Sequence, residues 1–291
     1  ASATLRRMFA DRSSASRRPS HDRALLGLTV AALAAASTTG CAGTSASSAG
    51  RPSNAQSTGD QRLVVGAAAS MKEALSRCAP PFGREEGTNV ALAFAGSDEL
   101  AAQIRQGASI DVYASANTQL PRALHSEGRL SRSVAFATNE LVIATRRPSS
   151  VHSLTDLTKK GVRLVLGSPS VPHGAYARTL LARLPAATRR AVLANVRSNE
   201  PDVKSTVGKL LTGAADAGFV YASDVRAAHG KLAALRLPPR LQPRVVYAAG
   251  IAWRSRAPRL ARAFLRDLRF GRCQRALRQA GFGPPPNRNK Q

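Results

Sequence analysis

The chain has 291 residues, with 43 Lys and Arg against 17 Asp and Glu and a formal net charge of +26. Its 43% of hydrophobic residues can fill the core of one large or two ordinary domains, which excludes a wholly disordered polycation. The basic residues are spread from Arg6 to Lys290, and eight Phe with four Tyr are too few for a base-stacking platform, so nucleic acid is not an expected partner.

Residues 1–40 read as a signal peptide. Six Arg and two Asp precede "ALLGLTVAALAAAS", an apolar run from Ala24 to Ser37 that is too short to span a bilayer and the right length for a signal h-region. The run leads into "TTGCAG", with Gly40 before Cys41, an order that resembles a bacterial lipoprotein signal in which Cys41 carries the lipid. Residues 41–60 are Ser- and Gly-rich and read as a flexible tether. Without residues 1–40, 37 basic and 15 acidic residues remain. Export would place Cys78 and Cys273 in an oxidising compartment. Neither has CxxC spacing, and they either pair, tying an early helix to the C-terminal one, or stand as two separate buried thiols.

From Arg62 onward one unit recurs: a short apolar strand, a turn of small residues, an amphipathic helix. "RLVVG" passes through Ala67–Ser70 into "MKEALSRCAPPF". "NVALAFAG" alternates as a strand and breaks at Gly96-Ser97 into "DELAAQIRQG", with Leu100, Ala101 and Ile104 on one face. "IDVYASA" ends at Ala116, and Asn117 can cap the next helix. "VRLVLGSPS" runs through "VPHGA" into the helix "YARTLLARL". "NVRSNEP" precedes a helix with Val203, Val207, Leu210 and Leu211 at i, i+4, i+7 and i+8, and "ADAGFVYASD" follows as strand and turn. This alternation predicts an α/β architecture, and ligands in such sheets sit outside the carboxyl ends of the strands. A Ser there either caps its helix or offers its hydroxyl and the free amides beyond it to an anion.

Six blocks, "GAAASMKEAL", "FAGSDELAAQI", "IDVYASA", "SPSVPHGAYA", "NEPDVKSTVGKL" and "GAADAGFVYASDV", resemble in order and spacing the molybdate-binding proteins of ABC importers. The resemblance spans about Gln61 to Phe282. It implies a two-lobed periplasmic-binding-protein fold of type II, with two mixed-sheet lobes and the ligand cleft between them. Lobe I would be 61–140 plus 246–287, lobe II 141–245, and 288–291 a disordered tail. The crossings would lie near "FATNELVIA" and "RVVYAAGIAW". It also implies molybdate or tungstate as ligand, no cofactor, an ABC permease in the membrane as partner, and a monomer exported to the periplasm or lipid-anchored on the outer face of the membrane. The oxyanion contacts fall on the hydroxyls and amides of Ser70 and Ser97, the amides of Ala116, of His173-Gly174 and of Val203, and the hydroxyl of Tyr221. Asp98 and His173 depart from the family pattern. A carboxylate at 98 repels a dianion unless it points to solvent, and His173 either crowds the pocket or donates when protonated.

Elementary chemistry agrees with such a site. A tetrahedral dianion accepts hydrogen bonds on four oxygens, and backbone N–H, Ser and Tyr groups are all donors. No direct metal site is expected, because the five His form no HxxxH pair and no carboxylate cluster accompanies them. An enzyme is not expected: Ser70 and Ser97 lack a GxSxG setting, and there is no P-loop or GxGxxG. The alternatives are the same fold holding sulfate, phosphate or a small organic anion, and a basic surface protein that binds phosphate backbones or anionic lipids.

Overall fold

The computed structural model describes residues 62–286. The leader and tether expected over residues 1–60, with Cys41, and the tail over 288–291 lie outside the described residues.

In chain order, β1 (Arg62–Ala68) passes through one 3-10 turn into α1 (Lys72–Glu86), β2 (Asn89–Ala95) into α2 (Ser97–Arg105), and β3 (Val112–Ser115) into α3 (Gln119–Ser126). Then β4 (Val134–Asn139) runs almost directly into β5 (Leu141–Arg146). The second series is β6 (Leu164–Gly167), α4 (Pro172–Ala182), α5 (Ala186–Ala194), β7 (Val196–Glu200), α6 (Val203–Leu211), β8 (Ala217–Tyr221), α7 (Ala222–Ala227) and β9 (Leu232–Arg236). Finally β10 (Val245–Ile251) leads to α8 (Pro258–Phe270) and α9 (Arg272–Gln279).

The strands form two five-stranded sheets, in the orders β2-β1-β3-β10-β4 and β7-β6-β8-β5-β9. The topology repeats: three neighbouring strands are parallel, a fourth (β10 or β5) runs antiparallel to them, and the edge strand beyond it (β4 or β9) is antiparallel to that fourth. The architecture is therefore α/β with two mixed-sheet lobes. The chain passes from one to the other between Asn139 and Leu141 and returns between Arg236 and Val245.

Local sequence explains these elements. In β1, Leu63, Val65 and Ala67 are fully buried and Gly66 is buried between them, the near-continuous burial of a strand covered on both faces. On α2, Leu100, Ala101 and Ile104 are buried, as the helical period predicts. Helix α1 continues through Pro80 and Pro81, which cannot donate to the carbonyls four residues back. It ends at Gly87, whose φ of 63° lies in the left-handed region that glycine adopts at helix ends. Cys78 on α1 and Cys273 on α9 are joined in a disulfide closing a sequence separation of 195 residues. Beside it, Phe82 packs edge-on against Phe264 of α8 at 5.1 Å.

Two local expectations change. The stretch "VPHGA" is not a turn: α4 starts at Pro172, a residue whose fixed φ and missing N–H suit the first helical position. His173 and Gly174 thus occupy a first helical turn. Likewise "ASD" after Tyr221 opens α7. Helix α5 has no counterpart in the sequence reading, because among its nine residues only Val192 is buried and the apolar period is weak.

Candidate functional site

Six strands end at one cavity. Ala68, Ala69 and Ser70 follow β1; Ala95, Gly96 and Ser97 lie at the end of β2; Ala116 follows β3. From the second sheet, Val171, Pro172 and His173 follow β6, Asp202 and Val203 follow β7, and Tyr221 ends β8. The cavity volume is about 20 Å³. Carboxyl ends of parallel strands are where an α/β sheet presents helix N-termini, whose first-turn amides lack acceptors in their own helix. Here both lobes aim theirs at one space.

The first lobe contributes hydroxyls that are not used as caps. Neither the turn holding Ser70 nor α2 has a side-chain cap bond. Ser97 stands inside α2 as its first residue, and its Oγ accepts from the Ala116 amide at 3.1 Å, which leaves the Ser97 hydrogen to donate elsewhere. Tyr113 fixes the same residue from behind, its hydroxyl donating to the Ser97 carbonyl at 2.6 Å. Ser70 Oγ lies 2.9 Å from the Tyr247 hydroxyl. Asn117 carries out the capping role read from the sequence: its Oδ1 accepts from the Leu120 amide at 3.1 Å. Gly96 is required by proximity, since a Cβ there would collide with the Pro201 carbonyl of the opposite lobe.

The second lobe contributes amides and a phenol. Asp202 caps α6 by accepting from the amides of Lys204 (2.7 Å) and Ser205 (3.0 Å) and from Ser205 Oγ (2.9 Å). Its negative charge is thereby satisfied within the helix start, and the Val203 amide is left outside that cap. Tyr221 is 1% exposed, and its hydroxyl, in the cavity wall, has no hydrogen-bond partner among the described residues. Burial, then the neighbouring Tyr247 and Tyr176, raise its pKa well above the usual phenol range, so it remains a donor. Gly174 does not line the cavity; it sits one position behind His173, where a Cβ would run into the carbonyls of Ser168 and Gly167.

His173 lines the cavity while 2% exposed, with Nε2 3.1 Å from Thr206 Oγ1. Burial lowers its pKa to about 4, so at neutral pH the ring is uncharged: it shapes the pocket and brings no cation to it. Asp98 does not line the cavity, but it does not simply face solvent either. One carboxylate oxygen is shut away beside Gly96 without a hydrogen-bond partner among the described residues.

Contacts cross between the lobes next to the cavity. Lys204 at the start of α6 crosses to Glu73 on α1 at 2.8 Å and, within its own lobe, pairs with the buried Asp224 on α7 at 3.1 Å. Asp224 titrates at about 6, raised by burial and partly offset by Lys204. Tyr176 of α4 donates to the Ala116 carbonyl at 3.4 Å. The sequence reading missed Tyr247, Asn139, Asp202 and the Lys204 pairs. Asp202 alone had a local signal, an acid immediately before the apolar-periodic helix.

Among the described residues no group of three His, Cys, Asp or Glu is placed to hold a metal ion. The sequence profile of the bacterial extracellular solute-binding proteins matches residues 63–283. The molybdate-binding protein ModA of Mycobacterium tuberculosis H37Rv is 38% identical over 231 residues, 78% of this chain and 86% of that protein. Among solved structures, the periplasmic molybdate-binding protein of Azotobacter vinelandii superposes with a TM-score of 0.69 at 21% identity, covering 77% of this chain and 100% of that one. The sulfate-binding protein SubI of M. tuberculosis gives 0.68 at 16% identity, covering 77% and 86%, so the fold is shared by proteins named for different anions. Two mixed-sheet lobes meeting at strand ends, a matching profile and this level of identity agree: the chain belongs to the bacterial extracellular solute-binding proteins and, among them, to the ModA family, and it is a binding protein rather than an enzyme.

Proposed function

We propose that this protein captures molybdate, and tungstate as its chemical equivalent, outside the cytoplasm and delivers it to an ABC permease in the membrane. The observation that carries this reading is the Tyr221 hydroxyl, buried in the cavity wall with no partner among the described residues. A buried unsatisfied hydroxyl costs about 1–3 kcal/mol, and an acceptor in the cavity removes that cost. Around it the wall offers Ser70, Ser97 and backbone amides, no Arg or Lys, and one carboxylate, Asp202, already satisfied by its helix.

Size supports a small tetrahedral anion. A sphere of the cavity's volume has a radius of about 1.7 Å, and adding a water radius of about 1.4 Å gives about 3.1 Å of room, the scale of one tetrahedral oxyanion. Each hydrogen bond to a charged acceptor contributes about 1.5–3 kcal/mol, so six to eight neutral donors hold a dianion without a salt bridge. In this reading the donors are the hydroxyls and amides of Ser70 and Ser97, the amides of His173 and Val203, and the hydroxyl of Tyr221; the Ala116 amide, expected among them, already donates to Ser97 Oγ, and Gly174 stands behind the cavity wall. Donor spacing set for a large anion leaves a smaller one such as sulfate short of bonds.

Donors on both lobes mean that the anion stabilises the closed arrangement, with the crossings at 139–141 and 237–244 acting as the hinge between lobe I (61–140 and 246–287) and lobe II (141–245). A lipid on Cys41 would keep the carrier near its permease. Calorimetry with molybdate, tungstate, sulfate and phosphate tests the reading. Micromolar or tighter binding of the first two and none of sulfate is expected; sulfate or phosphate binding more tightly than molybdate rejects it.

A further inference from the structure

We propose that Tyr247 and Asn139 are positioning residues that fix the direction of the Ser70 hydroxyl, so that its hydrogen donates into the cavity. This deepens the oxyanion reading and rests on it. The direction is set at Asn139, the last residue of β4. The Glu140 amide donates to Asn139 Oδ1 at 2.9 Å, which fixes which end of the side-chain amide faces which way. Asn139 Nδ2 then donates to Ser223 Oγ at 2.9 Å and, over a longer 3.5 Å, to the Tyr247 hydroxyl.

An amide nitrogen has hydrogens and no acceptor, so the Tyr247 oxygen receives at this end of the chain of bonds. Ser70 Oγ lies 2.9 Å away, where either oxygen can be the donor by distance, and in this relay the hydrogen of the pair is assigned to Tyr247. Ser70 thus accepts from Tyr247, and its hydrogen is left for the cavity that it lines. Bonds aligned in one direction polarise each other and strengthen the last donor.

The middle member is built to stay in place. Tyr247 is fully buried, and its ring is held edge-on by Phe136, Tyr221 and Phe282 at 6.2, 5.8 and 5.2 Å. Its pairing with β4 shifts register between Tyr247 and Ala248, a local irregularity of the kind that re-aims a side chain. Burial keeps the phenol protonated. The relay also joins both lobes, since Asn139 precedes the crossing and Ser223 lies on α7.

A consequence is selection by protonation. A fully deprotonated oxyanion presents a lone pair wherever Ser70 points. Hydrogenphosphate carries one proton and is disfavoured in the orientation that sets its P–OH hydrogen against the Ser70 hydrogen.

The test is a double-mutant cycle by calorimetry with molybdate and tungstate on the full chain. Tyr247→Phe keeps the ring and removes only the hydroxyl, and is expected to weaken binding about tenfold, the upper size of one neutral hydrogen bond. Ser70→Ala is expected to weaken it at least as much. The double variant should match Ser70→Ala within about twofold, because the relay acts only through Ser70. Asn139→Ala, compared with and without Ser70→Ala in the same way, provides the second cycle if Tyr247→Phe lowers the ligand-free melting temperature. Wild-type affinity in Tyr247→Phe, or a tenfold loss repeated undiminished in the Ser70→Ala background, overturns the relay while the oxyanion reading stands. A wild-type chain that binds none of the four anions overturns the oxyanion reading, and the relay with it.

Discussion

The two lobes repeat one sheet topology and furnish it with different chemistry. Strand for strand, β1, β2 and β3 correspond to β6, β7 and β8, and each ends at the same cavity. At the ends of the first set stand Ala69, Ser70, Gly96, Ser97 and Ala116, residues small enough for backbone to approach a ligand. At the ends of the second stand Val171, His173, Val203 and Tyr221, which fill space. The first lobe leaves its serine hydroxyls uncapped, whereas the second uses Asp202 to close the start of α6. The first lobe also holds the disulfide, between two helices that both pack on the first sheet's side. In the proposed site the comparison amounts to a division of labour: the first lobe offers two of the three hydroxyls that line the cavity, and the second offers the larger side chains and one phenol.

Experiments can break that division, beginning with the largest expected effect. Replacing Cys78 and Cys273 together by Ser should cost about 2–5 kcal/mol of stability in denaturant unfolding. Anion affinity below the unfolding range should stay within about twofold, because the bridge does not cross the cleft; a large loss of affinity would place it in the binding apparatus. Ser97→Ala removes one hydroxyl and the anchor of the Ala116 amide, so its affinity should fall about 30-fold or more, against about tenfold for Tyr221→Phe. The reverse order in calorimetry would mean that the second lobe dominates. Asp202→Ala should lower stability by about 1 kcal/mol through the lost cap, without weakening anion binding.

The smallest effect concerns pH and sharpens the comparison within the second lobe. The folded pKa of His173, about 4, lies below its unfolded value of about 6.5, so its contribution is complete above about 6.5 and is lost as pH falls from there to about 4. Asp224 has the opposite sign: its folded pKa of about 6 lies above the usual carboxylate value, so its contribution is greatest at acid pH and fades as pH rises toward 6. The two oppose each other between about pH 4 and 6. His173→Gln should therefore make ligand-free stability rise more steeply toward acid in that window, and melting curves at several pH values would show it.

The repeating strand, turn and helix was readable in the sequence because each unit is local: alternation in "NVALAFAG", the glycine stop, the 3.6-residue period of α2. Ser70, Ser97 and Tyr221 were named through the resemblance of the six blocks to the molybdate-binding proteins, and the structure brings the three to one cavity. Tyr247 was not. It meets Ser70 across 177 positions, and in "VVYAAGI" it reads as one more apolar strand residue. The Lys204 and Glu73 pair, 131 positions apart, is invisible for the same reason. His173 was placed in a turn because the helical period begins only at Tyr176, while the rigid φ of Pro172 starts the helix earlier.

The discontinuity of the first sheet also orders events in time. Its fourth strand, β10, follows the whole of the second sheet in the chain, so a polypeptide emerging from its N-terminus holds β1 to β4 without the strand that joins β3 to β4. The second sheet, continuous from Leu141 to Arg236, is complete as soon as β9 has emerged. It can assemble while the first waits, and Cys78 has no partner until Cys273 arrives after both. The half of the molecule that offers two of the three cavity hydroxyls is therefore finished last, and oxidation seals a sheet whose strands are already in place.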